Sequence, residues 1–136
     1  MAFSAILGEQ CSAADLVARV GGEEFAVVLF DTDLGGAQAT VDRIAQSLAH
    51  WSLDGPATLT TSAGIAMLGP DASSPSEMLV AADRALYAAK HAGRNRVVVF
   101  GDRAARELAL AAYVSRTPTT TSTPALARRR PSSSMA

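Results

Sequence analysis

Arg19-Val20-Gly21-Gly22-Glu23-Glu24-Phe25 is the stretch on which the reading of this chain turns. The apolar run Leu16-Val17-Ala18 leads into it, and Phe25-Ala26-Val27-Val28-Leu29-Phe30 follows. Two β-prone runs around a Gly-Gly pair predict a hairpin, because glycine takes the positive φ of a primed turn at no steric cost. Glu23 and Glu24 fall where turn meets strand. Neighbouring side chains of a strand point to opposite faces, so one carboxylate at most faces inward. On the residues alone two readings stand: a solvated charged tip, or a hard-cation site. In the second, the glycines admit a phosphate to the backbone and the carboxylates hold Mg²⁺.

Outward from the hairpin, the pattern alternates helix and strand. Residues 2 to 10 read as the end of a helix with Phe3, Ile6 and Leu7 on one face. Strands are predicted over Asp15 to Val20 and Phe25 to Phe30. Asp31-Thr32-Asp33 offers an N-cap to a helix whose apolar stripe is Leu34, Ala37, Val41, Ile44, Leu48 and Trp51. Asp54-Gly55-Pro56 is a predicted turn, followed by a strand from Thr58 to Met67. One face of that strand bears only Thr60, Ser62, Gly64 and Ala66, so something is expected to pack closely there. Residues Gly69 to Pro75 form a loop. Ser74-Pro75-Ser76-Glu77 has the form of a capping box with proline at the first helical position. The helix that follows is expected to turn Leu79, Ala82, Leu86 and Ala89 to the core and to stop at Gly93. Arg96 to Phe100 is a last short strand. The expected fold is an α/β sandwich, with helices over a mixed sheet that carries the hairpin.

The totals narrow the function classes. A chain of 136 residues, 49% hydrophobic, suits one domain. A formal net charge of −1 gives no basic surface for nucleic acid. Cys11 is the only cysteine, which excludes an internal disulfide or a thiolate cluster, and His50 reads as a helix-end cation. No segment approaches ~20 apolar residues, so no membrane segment is expected and the chain reads as cytoplasmic.

The motif Gly21-Gly22-Glu23-Glu24-Phe25 resembles the signature of GGDEF-domain diguanylate cyclases. Asp15-Leu16-Val17-Ala18-Arg19 precedes it as in that family. Leu59-Thr60-Thr61-Ser62-Ala63-Gly64-Ile65-Ala66 resembles the family's central strand. Ala82 to Lys90, followed by Gly93-Arg94-Asn95, is similar to its last helix. The resemblance implies a nucleotidyl cyclase-like fold and a bacterial signalling reaction. That reaction condenses two GTP into cyclic di-GMP and pyrophosphate, uses Mg²⁺ or Mn²⁺, and requires a homodimer. It further implies that Gly21 and Gly22 let the nucleotide lie against the hairpin. Glu23 becomes a metal ligand, and Glu24 a second metal or catalytic carboxylate. Lys90 and Arg94 become the ligands of the terminal phosphates. Their spacing of four around a helix end can converge two cations on one anion, and interaction with the helix dipole is the other account of the pair.

The family's inhibitory product site is an Arg-x-x-Asp ending just before the hairpin. Asp15 supplies its Asp, but Ser12 stands where Arg belongs, so feedback control through it is expected to fail. A first-strand aspartate, a Phe-Lys segment and the guanine-reading Asn and Asp of the family have no counterpart in the chain. The expectation is therefore a partial GGDEF domain over residues 1–102, truncated at its N-terminus and inactive alone. The alternative is a degenerate module that binds nucleotide or dimerises without catalysis. Residues 103–116 are expected to form a helical extension. Residues 117–136, rich in Thr, Ser, Pro and Arg, are expected to be a disordered tail.

Overall fold

A computed structural model describes residues 3–53, 59–103 and 107, leaving out the side chains of Ser52 and Leu53. The predicted turn at 54–56, the start of the third strand at Thr58 and the tail at 117–136 lie outside these residues. So does the extension at 103–116, apart from Arg103 and Glu107, which pair at 3.5 Å.

Helix α1 spans Phe3–Gln10, α2 spans Leu34–Leu53 and α3 spans Pro75–His91. Strands β1 (Leu16–Arg19) and β2 (Phe25–Val28) pair antiparallel, from Leu16 opposite Val28 to Arg19 opposite Phe25. Strands β3 (Ala63–Ile65) and β4 (Val97–Val99) pair parallel, Ala63 opposite Val97. Both pairing senses of the expected mixed sheet are present. Among the described residues they form two separate two-stranded ladders.

The first core lies between α1 and α2. Ile6 and Leu7 meet Ile44 and Leu48, all at 6% exposure or less, and Phe3, Phe25 and Val27 pack against them. Burying each of these aliphatic side chains is worth about 1.5–3 kcal/mol. Asp33 caps α2 as its sequence position suggests, its Oδ1 accepting the Gly36 N–H at 2.8 Å. The predicted stripe on α2 is narrower than expected: Leu34 and Trp51, at its two ends, are exposed. A polar residue belongs to the buried face instead. Thr40 donates to the Gly36 carbonyl at 3.0 Å and accepts from Arg43 at 2.9 Å, so its buried hydroxyl is satisfied.

The second unit is β3–α3–β4. Gly64 explains its closeness: a Cβ at that position would overlap the Ala82 carbonyl oxygen and the Leu86 amide nitrogen. Backbone therefore lies on backbone, and only small side chains fit beneath the helix. The face of α3 turned inward is Ala81, Ala85, Ala88 and Ala89; of the predicted stripe Ala89 is buried, while Ala82 and Leu86 are half-buried. Leu79 is 50% exposed. The small-residue face of β3 thus selected the alanine row of the helix over its leucines.

Strand β3 is also shorter than the predicted Thr58–Met67, because its partner allows three pairs only. The Ala63 N–H donates to the Arg96 carbonyl and the Phe100 N–H to the Ile65 carbonyl, which brackets the ladder. Beyond it, the Met67 N–H turns to the Asp71 carboxylate at 2.8 Å. At the start of α3, Ser74 accepts the Glu77 N–H at 3.3 Å, with Pro75 in the first turn. The reciprocal bond of a capping box is displaced by one residue, since Glu77 takes the N–H of Ser73 rather than Ser74.

Candidate functional site

The hairpin reverses at Gly22 and Glu23. The N–H groups of Val20 and Gly21 donate to the Glu24 carbonyl at 2.9 and 3.3 Å, and the Glu24 N–H returns to the Gly21 carbonyl at 3.3 Å. The expected primed turn is not what forms. Neither Gly21 nor Gly22 has a positive φ; among the described residues the glycines that do are Gly69 and Gly93. The two hairpin glycines supply room instead. A Cβ on Gly22 would meet nothing within 4 Å, and one on Gly21 would come to 3.4 Å from Glu24 Oε2.

Glu23 is exposed and Glu24 is half-buried. The two carboxylates part company as strand alternation requires, and Glu24 turns to α3. Its Oε1 stands 2.5 Å from Lys90 Nζ, an ion pair across 66 positions of sequence. Hairpin and helix end are thus brought together by two of the expected site residues. Arg94 is not brought to the hairpin: its side chain is exposed, and no ion pair of it is seen among the described residues.

What holds Arg94 in place is the backbone. Gly93 at φ +111° ends α3, with the Ala92 N–H on the Ala88 carbonyl and the Arg94 N–H on the Ala89 carbonyl, a Schellman closure. Arg94 (φ 63°) and Asn95 (φ 46°) continue in the left-handed region, which a side-chain-bearing residue enters only at a cost. The Ser62 hydroxyl accepts the Asn95 N–H at 3.1 Å and fastens this turn to the segment before β3.

Asp15 closes the opposite end of the hairpin. Its carboxylate accepts the Ser12 N–H at 2.7 Å and the Phe30 N–H at 3.1 Å. The Ser12 hydroxyl first, and then these two N–H groups, hold the Asp15 carboxyl below the usual carboxylate range. Ser12, where the inhibitory pattern has arginine, is therefore a partner of Asp15. Burial, joined by the Asp15 charge, pushes the Cys11 thiol up, which makes it a poor nucleophile.

Sequence reading passed over Arg19. Its Nε donates to the Gly22 carbonyl at 3.0 Å, its Nη2 reaches the same oxygen, and the guanidinium lies 5.9 Å from the Phe25 ring centre. The signal was available: a cation three residues before the turn, facing an aromatic residue across the predicted ladder.

Among the described residues, no three His, Cys, Asp or Glu side chains gather into a group that could hold a metal ion. Glu23 and Glu24 offer hard oxygen donors on adjacent residues. That donor set fits magnesium, which binds through one or two carboxylates together with waters and substrate phosphates. A cavity of about 390 Å³ lies elsewhere, between the start of α3 and Phe100, lined by Asp71, Glu77, Val80 and Arg84 among others.

The family model described as "Diguanylate cyclase, GGDEF domain" matches residues 1–96. "Probable diguanylate cyclase DgcT" of Escherichia coli is 41% identical over 99 residues, covering 69% of this chain and 22% of that protein. Diguanylate cyclase A of Treponema denticola is 40% identical over 89 residues, covering 63% of this chain and 24% of that protein. The chain thus spans less than a quarter of the length of these two curated relatives. Among solved structures, the GGDEF domain of DgcB from Caulobacter crescentus, in complex with c-di-GMP, superposes with a TM-score of 0.62 at 26% identity. That match covers 74% of this chain and 61% of the other. The GGDEF domain of TpbB (YfiN) from Pseudomonas aeruginosa gives 0.63 at 30% identity, over 78% of this chain and 63% of the other. No helix of the described residues is long and apolar enough to cross a membrane. With the family model covering most of its length, the chain belongs to the GGDEF domain family of diguanylate cyclases.

Proposed function

We propose that the hairpin and the end of α3 form the nucleotide site through which this chain serves the condensation of two GTP into cyclic di-GMP. The observation that carries the reading is the Lys90–Glu24 ion pair, which sets a helix-end cation beside one of the two hairpin carboxylates. Polyphosphate recognition needs such a juxtaposition: open backbone for the phosphates to approach, hard oxygens for their metal, and a cation for their remaining charge. Gly22 supplies the open backbone. Glu23 and Glu24 would hold Mg²⁺ or Mn²⁺, and Lys90 and Arg94 would take the terminal phosphates. When bound, the metal neutralises phosphate charge and acidifies the attacking 3′-hydroxyl. The protein's own part is positional: each protomer of a homodimer presents one GTP, held by the hairpin and the helix end, to the GTP of its partner.

A second reading is nucleotide binding without turnover by this chain alone. The absence of a third ligating side chain beside Glu23 and Glu24 among the described residues favours it. Product assayed by chromatography after incubation with GTP and Mg²⁺, against a Glu23→Gln control, separates the two.

The binding site itself is tested by titration calorimetry with GTP and with guanosine. Arg94→Ala and Lys90→Met are each expected to weaken GTP binding by about 1.5–3 kcal/mol, the worth of a charge-assisted hydrogen bond, and to leave guanosine unaffected. Equal GTP affinity for wild type and both variants, with a lowered melting temperature, would assign the cations to the helix dipole instead.

A further inference from the structure

We infer that Arg19 is a positioning residue that fixes the Gly22–Glu23 reversal and thereby the placement of both carboxylates; this rests on the reading of Glu23 and Glu24 as metal ligands. The need for such a residue follows from the turn. A tight reversal matches the right-handed twist of its strands when its central residues take positive φ, and an unprimed reversal splays them. Backbone hydrogen bonds close this turn, but Gly22 and Glu23 have no positive φ, so it lacks the primed geometry that would match the twist of its strands.

Arg19 supplies the missing restraint. It occupies the last ladder position of β1, opposite Phe25. Its Nε and Nη2 converge on one acceptor, the Gly22 carbonyl. That carbonyl belongs to the peptide plane joining Gly22 to Glu23, so holding it sets the direction in which the Glu23 side chain leaves the backbone. The guanidinium is itself held. It lies within cation–π range of the Phe25 ring, at 5.9 Å. Phe25 meets Phe3 edge to face at 5.3 Å, and both rings pack on the core of Ile6, Leu7, Ile44 and Leu48. A line of contacts thus runs from the core of the α1–α2 layer through Phe25 and Arg19 to the tip of the hairpin. A planar fork suits this role: two of its N–H groups reach one carbonyl while its charge lies near the ring, and an ammonium offers no such fork.

The test uses the full chain and Mn²⁺ alone as probe, followed by the paramagnetic resonance of the free ion, with a thermal melt of every variant. Arg19→Met is expected to bind Mn²⁺ about tenfold more weakly than wild type, as loss of an outer partner of a metal ligand commonly does. Arg19→Lys, which keeps the charge and loses the fork, is expected to fall between them. The sign is diagnostic, because removing a cation beside a metal would by charge alone tighten binding. Wild-type or tighter affinity in Arg19→Met overturns the inference. If Arg19→Met fails to fold, Arg19→Lys decides in the same way: wild-type affinity overturns the inference and weaker affinity supports it. If wild type and Glu23→Gln bind Mn²⁺ alike, it is the reading of the carboxylates as ligands that falls, and this inference with it.

Discussion

The β1–β2 hairpin and the β3–α3–β4 unit are each built on a pair of short strands, yet they are held by opposite means. Every residue of β1 is exposed, Leu16 to 59%, and β2 is only half-buried. The hairpin is kept in place by a few discrete contacts: Asp15 on two N–H groups, Arg19 on Gly22, Phe25 on Phe3 and Glu24 on Lys90. The other unit is kept by continuous backbone apposition, with Gly64 against α3 and Ala88 and Ala89 fully buried. The element proposed to face the nucleotide is the one attached by separable side chains, and the element that supports it leaves no room for any. Substrate-binding segments are drawn from the less buried part of a fold in general.

That contrast can be broken most sharply at its glycines. Gly64→Ala should cost about 3 kcal/mol or more in urea denaturation, because the methyl group meets backbone that cannot step aside. An unchanged midpoint would show that strand and helix are not in contact. A smaller effect is expected where the two regions meet. A double-mutant cycle of Lys90→Met and Glu24→Gln should give a coupling of about 0.2–1 kcal/mol, since side chains 32% and 44% exposed are screened by water. A larger coupling would mean that the pair, rather than the core, holds the hairpin.

At the far end of the hairpin the expected effect depends on pH. The Asp15 carboxyl is lowered in the folded chain, so it stabilises above its ordinary pKa and that contribution disappears as pH falls through the lowered value. Thermal melts of wild type should therefore lose more on acidification below the ordinary carboxylate range than those of Asp15→Asn. Parallel curves would remove Asp15 from the contacts that secure the hairpin. Smallest of all is Gly22→Ala, with less than about 0.5 kcal/mol of stability lost, since nothing stands where its methyl group would go. The same variant should bind GTP more weakly, which calorimetry checks, because that empty space is where the phosphates are proposed to lie.

The order of elements, the N-cap at Asp33, the stop at Gly93 and the close packing at Gly64 were all legible in the residues. Each rests on a local rule that tertiary context did not override. The face of α3 was legible at Ala89 but not along the rest of its row. Leucines outrank alanines in any hydrophobic stripe, and only the closeness imposed by the glycine on another element reverses that order. The length of β3 was hidden for a related reason, since pairing with Val97–Val99, and not its own alternation, sets where the ladder ends. The Gly-Gly pair was read both for its freedom of φ and for the approach it gives a phosphate; the turn does not use the first, and the space beside Gly22 is open for the second. Of the site, Lys90 and Glu24 were each singled out in the sequence, one for the phosphates and the other for a metal, but no sequence spacing could show that the two pair with each other. Arg19 was overlooked because its place opposite Phe25, though readable from the ladder, did not show that its guanidinium bonds the Gly22 carbonyl.

The parallel pairing of β3 with β4 has a consequence for how the site comes into being. The innermost hairpin pair, Arg19 and Phe25, joins residues six positions apart, whereas Ala63 and Val97 are separated by thirty-four. With the intervening chain unstructured, the wider closure costs about 1.5 kcal/mol more, at roughly 0.6 kcal/mol for each doubling of loop length. The carboxylates therefore ride on the kinetically local half of the molecule. Lys90 arrives with the half whose search is longer, once α3 has shortened the distance by coiling.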